Sequence, residues 1–100
     1  MIVSKKMTIV DKPGLRLMLE YNEHYVAVHI QDLKMTKSNY LDFVNTIEDI
    51  HSFCTTAGYE AIWTGIPVND PKTEKLLKKI GAKYVGTSQG MNVFEYRGVS

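Results

Sequence analysis

The run Ser38 to Ile66, SNYLDFVNTIEDIHSFCTTAGYEAIWTGI, decides the fold because the spacing of its apolar residues changes once within it. In its first part Tyr40, Phe43, Val44, Ile47, Ile50, His51 and Cys54 recur at intervals of three and four, and Asp42, Asn45, Glu48, Asp49 and Ser52 take the other side. That is the pattern of an amphipathic helix. Ser38 is placed to cap it by accepting a bond from a backbone N–H two or three residues on, and Gly58 to end it in a left-handed conformation. The spacing predicts a helix near Ser38 to Thr56 that turns Phe43, Val44, Ile47 and Ile50 inward. From Tyr59 to Ile66 that period is gone and aromatic and β-branched residues prevail, which reads as a largely buried strand. A helix leading into such a strand suggests a βαβ unit.

Working outward, Met7 to Val10 is a short β-prone run closed by the turn Asp11-Lys12-Pro13-Gly14. Leu15, Leu17, Leu19 and Tyr21 then alternate with Arg16, Met18 and Glu20, the period of a strand with one buried face. Asn22-Glu23-His24 interrupts, and Val26, Val28 and Ile30 resume the alternation, so these three runs predict an antiparallel meander. Downstream, Asp70 is an N-cap, Pro71 suits the first helical position, Leu76, Leu77 and Ile80 form an apolar stripe, and Gly81 stops the helix. Lys83 to Thr87 and Met91 to Tyr96 read as a hairpin around Ser88-Gln89-Gly90. The predicted fold is α+β, in the order β-β-β-α-β-α-β-β, with a mixed, mostly antiparallel sheet and two helices packed against it.

One hundred residues predict a single domain over positions 1–100, since two cores would each sit at the lower limit of independent folding. Twelve Lys and Arg against eleven Asp and Glu are too balanced for a general polyanion surface, so charge gives no reason to expect nucleic acid. A lone cysteine, Cys54, makes no internal disulfide. Nothing approaches the roughly 20 apolar residues of a membrane span, and Met1 to Lys6 lacks the apolar core of a secretion signal. A cytoplasmic protein is the expectation.

The order of elements, and Tyr59-Glu60-Ala61-Ile62-Trp63-Thr64 followed by Asp70, Leu76-Leu77, Ile80-Gly81-Ala82 and a closing hairpin, resembles the GNAT family of N-acetyltransferases with its N-terminal part trimmed. The resemblance extends over about residues 15 to 96 by element order and about 59 to 96 by residues. It looks closer still to acetyltransferase-like internal virion and hypothetical proteins of podoviruses, which implies a phage-encoded protein of the virion or the host cytoplasm.

Membership of that family implies a Gln/Arg-x-x-Gly-x-Gly/Ala turn opening the central helix, where bare backbone N–H groups and the helix dipole meet the pyrophosphate of coenzyme A. Here the segment reads Ile30-Gln31-Asp32-Leu33-Lys34-Met35-Thr36-Lys37-Ser38-Asn39, without glycine. Lys37 and Asn39 stand where small residues belong, so their side chains are expected to fill the phosphate space, and Asp32 adds a like charge. The family also implies a tyrosine seven residues after the second helix cap that protonates the leaving thiolate. Counting from Asp70 gives Leu77, and the family's Phe after the glycine is Ala82.

Among the remaining candidates, no two of His24, His29 and His51 have metal-ligand spacing, so no metal is expected. His51 and Cys54 lie on the apolar side of the first helix and read as packing residues. His29 with Glu20 on the neighbouring strand is a candidate acid/base pair if their common face lines a cleft. Trp63 reads as core, with a partner-facing anchor as the other reading. Tyr21, Tyr25, Tyr59, Tyr84 and Tyr96 lie on or beside strands and are candidates for an aromatic patch. Lys72, Lys75 and Lys79, at spacings of three and four, form a row able to steer an acidic partner.

The sequence therefore points to a binding protein on a GNAT-like scaffold with no catalytic residue and no cofactor. It would act by contact with a protein partner or as a homo-oligomer, with Lys72, Lys75 and Lys79 as the partner-binding residues. The alternative is a small acetyltransferase with an altered acetyl-CoA loop, held by Lys34, Lys37, Ser38 and Asn39.

Overall fold

The computed structural model describes residues 3–98. The meander comprises β1 (Lys5–Lys12), β2 (Leu15–Tyr21) and β3 (Val26–Leu33). Then come α1 (Lys37–Thr56), β4 (Ile62–Pro67), α2 (Pro71–Lys79), β5 (Lys83–Ser88) and β6 (Met91–Tyr96). They build one α+β unit whose six-stranded sheet runs β1-β2-β3-β4-β6-β5. Among the described strands only β3 and β4 run parallel, joined by the crossover through α1. All other neighbours are antiparallel.

Alternation on the strands sends Leu15, Leu17, Val28, Ile62, Ile66, Phe94 and Tyr96 to one face, where Phe43 and Ile47 of α1 and Leu76 and Leu77 of α2 complete a single core. Phe43 and Ile47 are buried as the helical spacing requires, whereas Val44 and Ile50 flank the core and stay half-buried. Both helices lie on this face because their apolar stripes share that one cluster. The opposite face carries no helix among the described residues.

Several local expectations are corrected. Thr36, not Ser38, caps α1: its backbone is extended and its Oγ1 accepts from the Asn39 N–H at 3.2 Å. Ser38 lies inside the first turn, where the Lys12 ammonium reaches its hydroxyl. β4 starts at Ile62 rather than Tyr59, because Tyr59 still belongs to the helix exit, its N–H bonded to the Cys54 carbonyl. Trp63 is not in the core. It alternates with buried Ile62 and Thr64 and so faces the helix-free side, half-buried.

The tyrosines form no common patch: Tyr96 is in the core, Tyr84 is on the outer edge strand, and Tyr59 bonds the Asn22 carbonyl. The second helix follows its sequence signals, with Asp70 accepting from Thr73 N–H at 3.2 Å and Gly81 at positive φ. The last hairpin turns through Gln89 and Gly90, both at positive φ, which is the backbone of a tight two-residue turn.

Candidate functional site

The β3–α1 loop is closed by its own chain. Lys34 N–H donates to the Gly14 carbonyl at 2.7 Å, and Asn39 Nδ2 donates to the carbonyls of Gly14 and Lys34 at 3.3 and 3.0 Å. Asn39 is buried, and a Cβ on Gly14 would come within 2.7 Å of its amide nitrogen, so this glycine is demanded by close approach as well as by its φ of +81°. The Thr36 hydroxyl takes one of the otherwise free N–H groups of the helix start, that of Asn39, while its carbonyl accepts the first helical bond from Tyr40. The expectation that Asn39 projects into the phosphate space is therefore corrected. Its side chain turns inward, where its amide donates to two main-chain carbonyls. Lys34, Lys37 and Ser38 are exposed around this latch, and the Lys12–Asp42 ion pair lies beside it.

Between the parallel strands, pairing is confined to Ala27 and Trp63. Past that point Thr64 Oγ1 donates to the Val28 carbonyl at 2.8 Å, a side chain taking a ladder position. The space left between these strands and the two helices is about 10 Å³, too small for an acyl chain. Leu77, at the position where the resemblance calls for an acid, is 2% exposed and packed in the core.

On the helix-free face one register row crosses all six strands: Lys6, Glu20, Ala27, Trp63, Glu95 and Lys83. His29, two residues beyond Ala27 on the same face, meets Glu20 with Nε2 to Oε1 at 2.9 Å, while the Tyr25 hydroxyl donates to Oε2 at 2.8 Å. The sheet thus brings together the pair read from sequence and adds Tyr25. The Tyr25 hydrogen bond, then that from His29, holds the Glu20 carboxyl below the usual carboxylate range. Glu20 is largely covered and His29 is 43% exposed, an arrangement in which a carboxylate fixes an imidazole whose other edge meets solvent. Tyr25 is placed by an Asx turn, in which Asn22 Oδ1 accepts from the His24 and Tyr25 N–H groups, a signal legible in Asn22-Glu23-His24 that the sequence reading took only as a break.

A polar cleft of about 450 Å³ opens between Tyr25, Trp63, Gly58 and Arg97, and neither Glu20 nor His29 lines it. Arg97 is tied to Glu95 and Glu60. His51 is away from the cleft, edge-on to Tyr96 with ring centroids 5.3 Å apart. Cys54 is buried on the helical side, and burial pushes its thiol pKa up. Lys72, Lys75 and Lys79 are all exposed on α2, with the Lys79 ammonium 5.1 Å from the centroid of the Tyr40 ring. Among the described residues no three His, Cys, Asp or Glu side chains gather as a metal site, and no helix is long and apolar enough to cross a membrane.

No protein-family model and no curated protein matches the chain. Among solved structures the chain is similar to a protein of Sphaerobacter thermophilus described as a "putative acetyltransferase", with a TM-score of 0.53 and 10% identity, over 95% of this chain and 64% of that one. The fold is GNAT-like. At that identity the likeness concerns architecture alone, and the chemistry has to be argued from the residues. This GNAT-like chain spans less than two thirds of the length of its structural neighbour.

Proposed function

We propose that the chain is a non-catalytic binding protein on a GNAT-like scaffold, acting by contact with another macromolecule and without acetyl-CoA. The observation that carries this reading is the Asn39 latch. A pyrophosphate cradle needs free N–H groups and open space at the start of the central helix; here the Thr36 hydroxyl takes the Asn39 N–H, and Asn39 and Lys34 are tied to Gly14. The small void behind β3 and β4 and the buried Leu77 support the same reading. Lys72, Lys75 and Lys79 are the proposed contact row for an acidic protein surface, exposed on one helix and able to steer association. A phage origin, with action in the virion or host cytoplasm, belongs to this proposal and rests on sequence resemblance.

The rival reading is a small acetyltransferase in which Lys34 and Lys37 hold phosphates as point charges. One observation favours it: His29, backed by Glu20, is built as a proton acceptor on an accessible face. Acetyl transfer to amine acceptors, assayed with the unmodified chain and with the Lys34→Ala/Lys37→Ala pair, separates the two. The binding reading predicts no transfer by either. Transfer by the unmodified chain that the paired substitution abolishes contradicts it.

A further inference from the structure

An apolar groove of about 470 Å³ runs between the β1–β2 edge of the sheet and α1. Met7, Leu19 and Tyr21 form one bank; Ile50 and Phe53 form the other, with Tyr59 at the end. Phe53 is 76% exposed and Met7 51%, large apolar surfaces for a chain of this size. The banks are tied at one end by the Lys12–Asp42 ion pair. At the other end they carry opposite charges that do not meet: Lys5, paired in register with Tyr21, and Asp49, one helical turn before Phe53. Among the described residues neither makes an ion pair.

We infer that this groove is a self-association site, in which Phe53 of each of two copies seats in the groove of the other about a two-fold axis. The patch is self-complementary. A two-fold contact needs knob and hole on one patch, and here the protruding Phe53 stands on the rim of an apolar groove that it does not fill. Charge follows the same geometry. When Phe53 enters the second copy's groove, Asp49 travels with it toward the β1 bank that carries Lys5 of the second copy. The free monomer holds these charges on opposite banks, and the dimer pairs them twice. This surface lies apart from the lysine row of α2, so the proposed function and the dimer stand or fall separately.

Sedimentation equilibrium of the whole chain tests it, together with Phe53→Ser, Lys5→Glu and Asp49→Lys. All three positions are exposed, so the variants are expected to keep the fold, which circular dichroism checks. The expected result is a concentration-dependent dimer for the unmodified chain, weakened at least about tenfold by Phe53→Ser and similarly by each charge reversal. An equimolar mixture of Lys5→Glu and Asp49→Lys chains should regain the dimer, because both cross-pairs then carry opposite charge. A chain that stays monomeric at millimolar concentration overturns the proposal, even if another protein occupies the groove. So does a dimer indifferent to Phe53→Ser, or one that mixing does not restore.

Discussion

Asn39 donates its side-chain amide to the main-chain carbonyl of Gly14, joining the start of the central helix to the β1–β2 turn across 25 positions of sequence. The same nitrogen serves Lys34, so one buried side chain gives a second donor to two carbonyls that already accept from the Lys34 and Thr36 N–H groups. Replacing Asn39 by Ala removes both of these hydrogen bonds, leaves each carbonyl with its backbone donor alone, and should cost about 1–3 kcal/mol, measured by chemical denaturation. Gly14→Ala should also destabilise the chain, because the new Cβ displaces the same amide and must hold a positive φ. If Asn39→Ala is as stable as the unmodified chain, the loop is not held by this latch.

Ile47 is 5% exposed on the inner side of α1. An Ile47→Asp substitution puts an unpaired carboxylate among Phe43, Leu17 and Phe94 and should abolish cooperative unfolding under native conditions. Val44→Asp, at a half-buried flanking position, should be milder. Equal effects would mean that α1 is rotated relative to the sheet.

Glu20 gives a pH prediction with a definite sign. Its carboxyl lies below the ordinary range, chiefly through the Tyr25 hydroxyl and then His29, so its contribution is fully present above the unfolded-state pKa of about 4.3. That contribution is lost as pH falls through the lowered folded value. Tyr25→Phe should raise the Glu20 pKa and flatten the acid-side loss of stability. Carbon-detected NMR titration of the Glu20 carboxyl reads the shift directly, and an unchanged midpoint would remove Tyr25 from this account.

The lysine row makes a kinetic prediction. Lys72→Glu with Lys75→Glu should slow association with an acidic partner at low salt and leave folding nearly intact, since both side chains are exposed. The difference should shrink at high salt, where exposed charges are screened within about 8 Å or less. An association rate that the reversal leaves unchanged at low salt would return these lysines to the class of solvated charges.

Much of the scaffold was legible from periodicity. Alternation from Leu15 to Tyr21 and the three- and four-residue spacing from Tyr40 to Cys54 reflect how each element meets the core, so they report secondary structure and inward face together. What periodicity does not encode is which face of the sheet lacks a helix. Trp63 looks like core because its neighbours Ile62, Thr64 and Ile66 are core; its outward direction depends on both helices packing on one side. The cap moved from Ser38 to Thr36 for a similar reason. Either residue can cap locally, and a tertiary contact, the inward turn of Asn39 to Gly14, selects between them. Glu20 and His29 were readable as partners because the strands that carry them are adjacent in the chain, whereas Tyr25 joins them only through the Asn22 turn.

The measurement that bears most directly on the central claim is thermal unfolding of the chain with and without millimolar acetyl-CoA. A ligand present at one hundred times its dissociation constant adds about 2.7 kcal/mol, which for a domain of this size raises Tm by about 10 °C or more. No rise is expected, because the Thr36 hydroxyl takes the Asn39 N–H of the helix start and the Asn39 side chain closes the loop on Gly14. A rise of that size, lost in the Lys34→Ala/Lys37→Ala variant, would contradict it and establish the loop as a coenzyme A site.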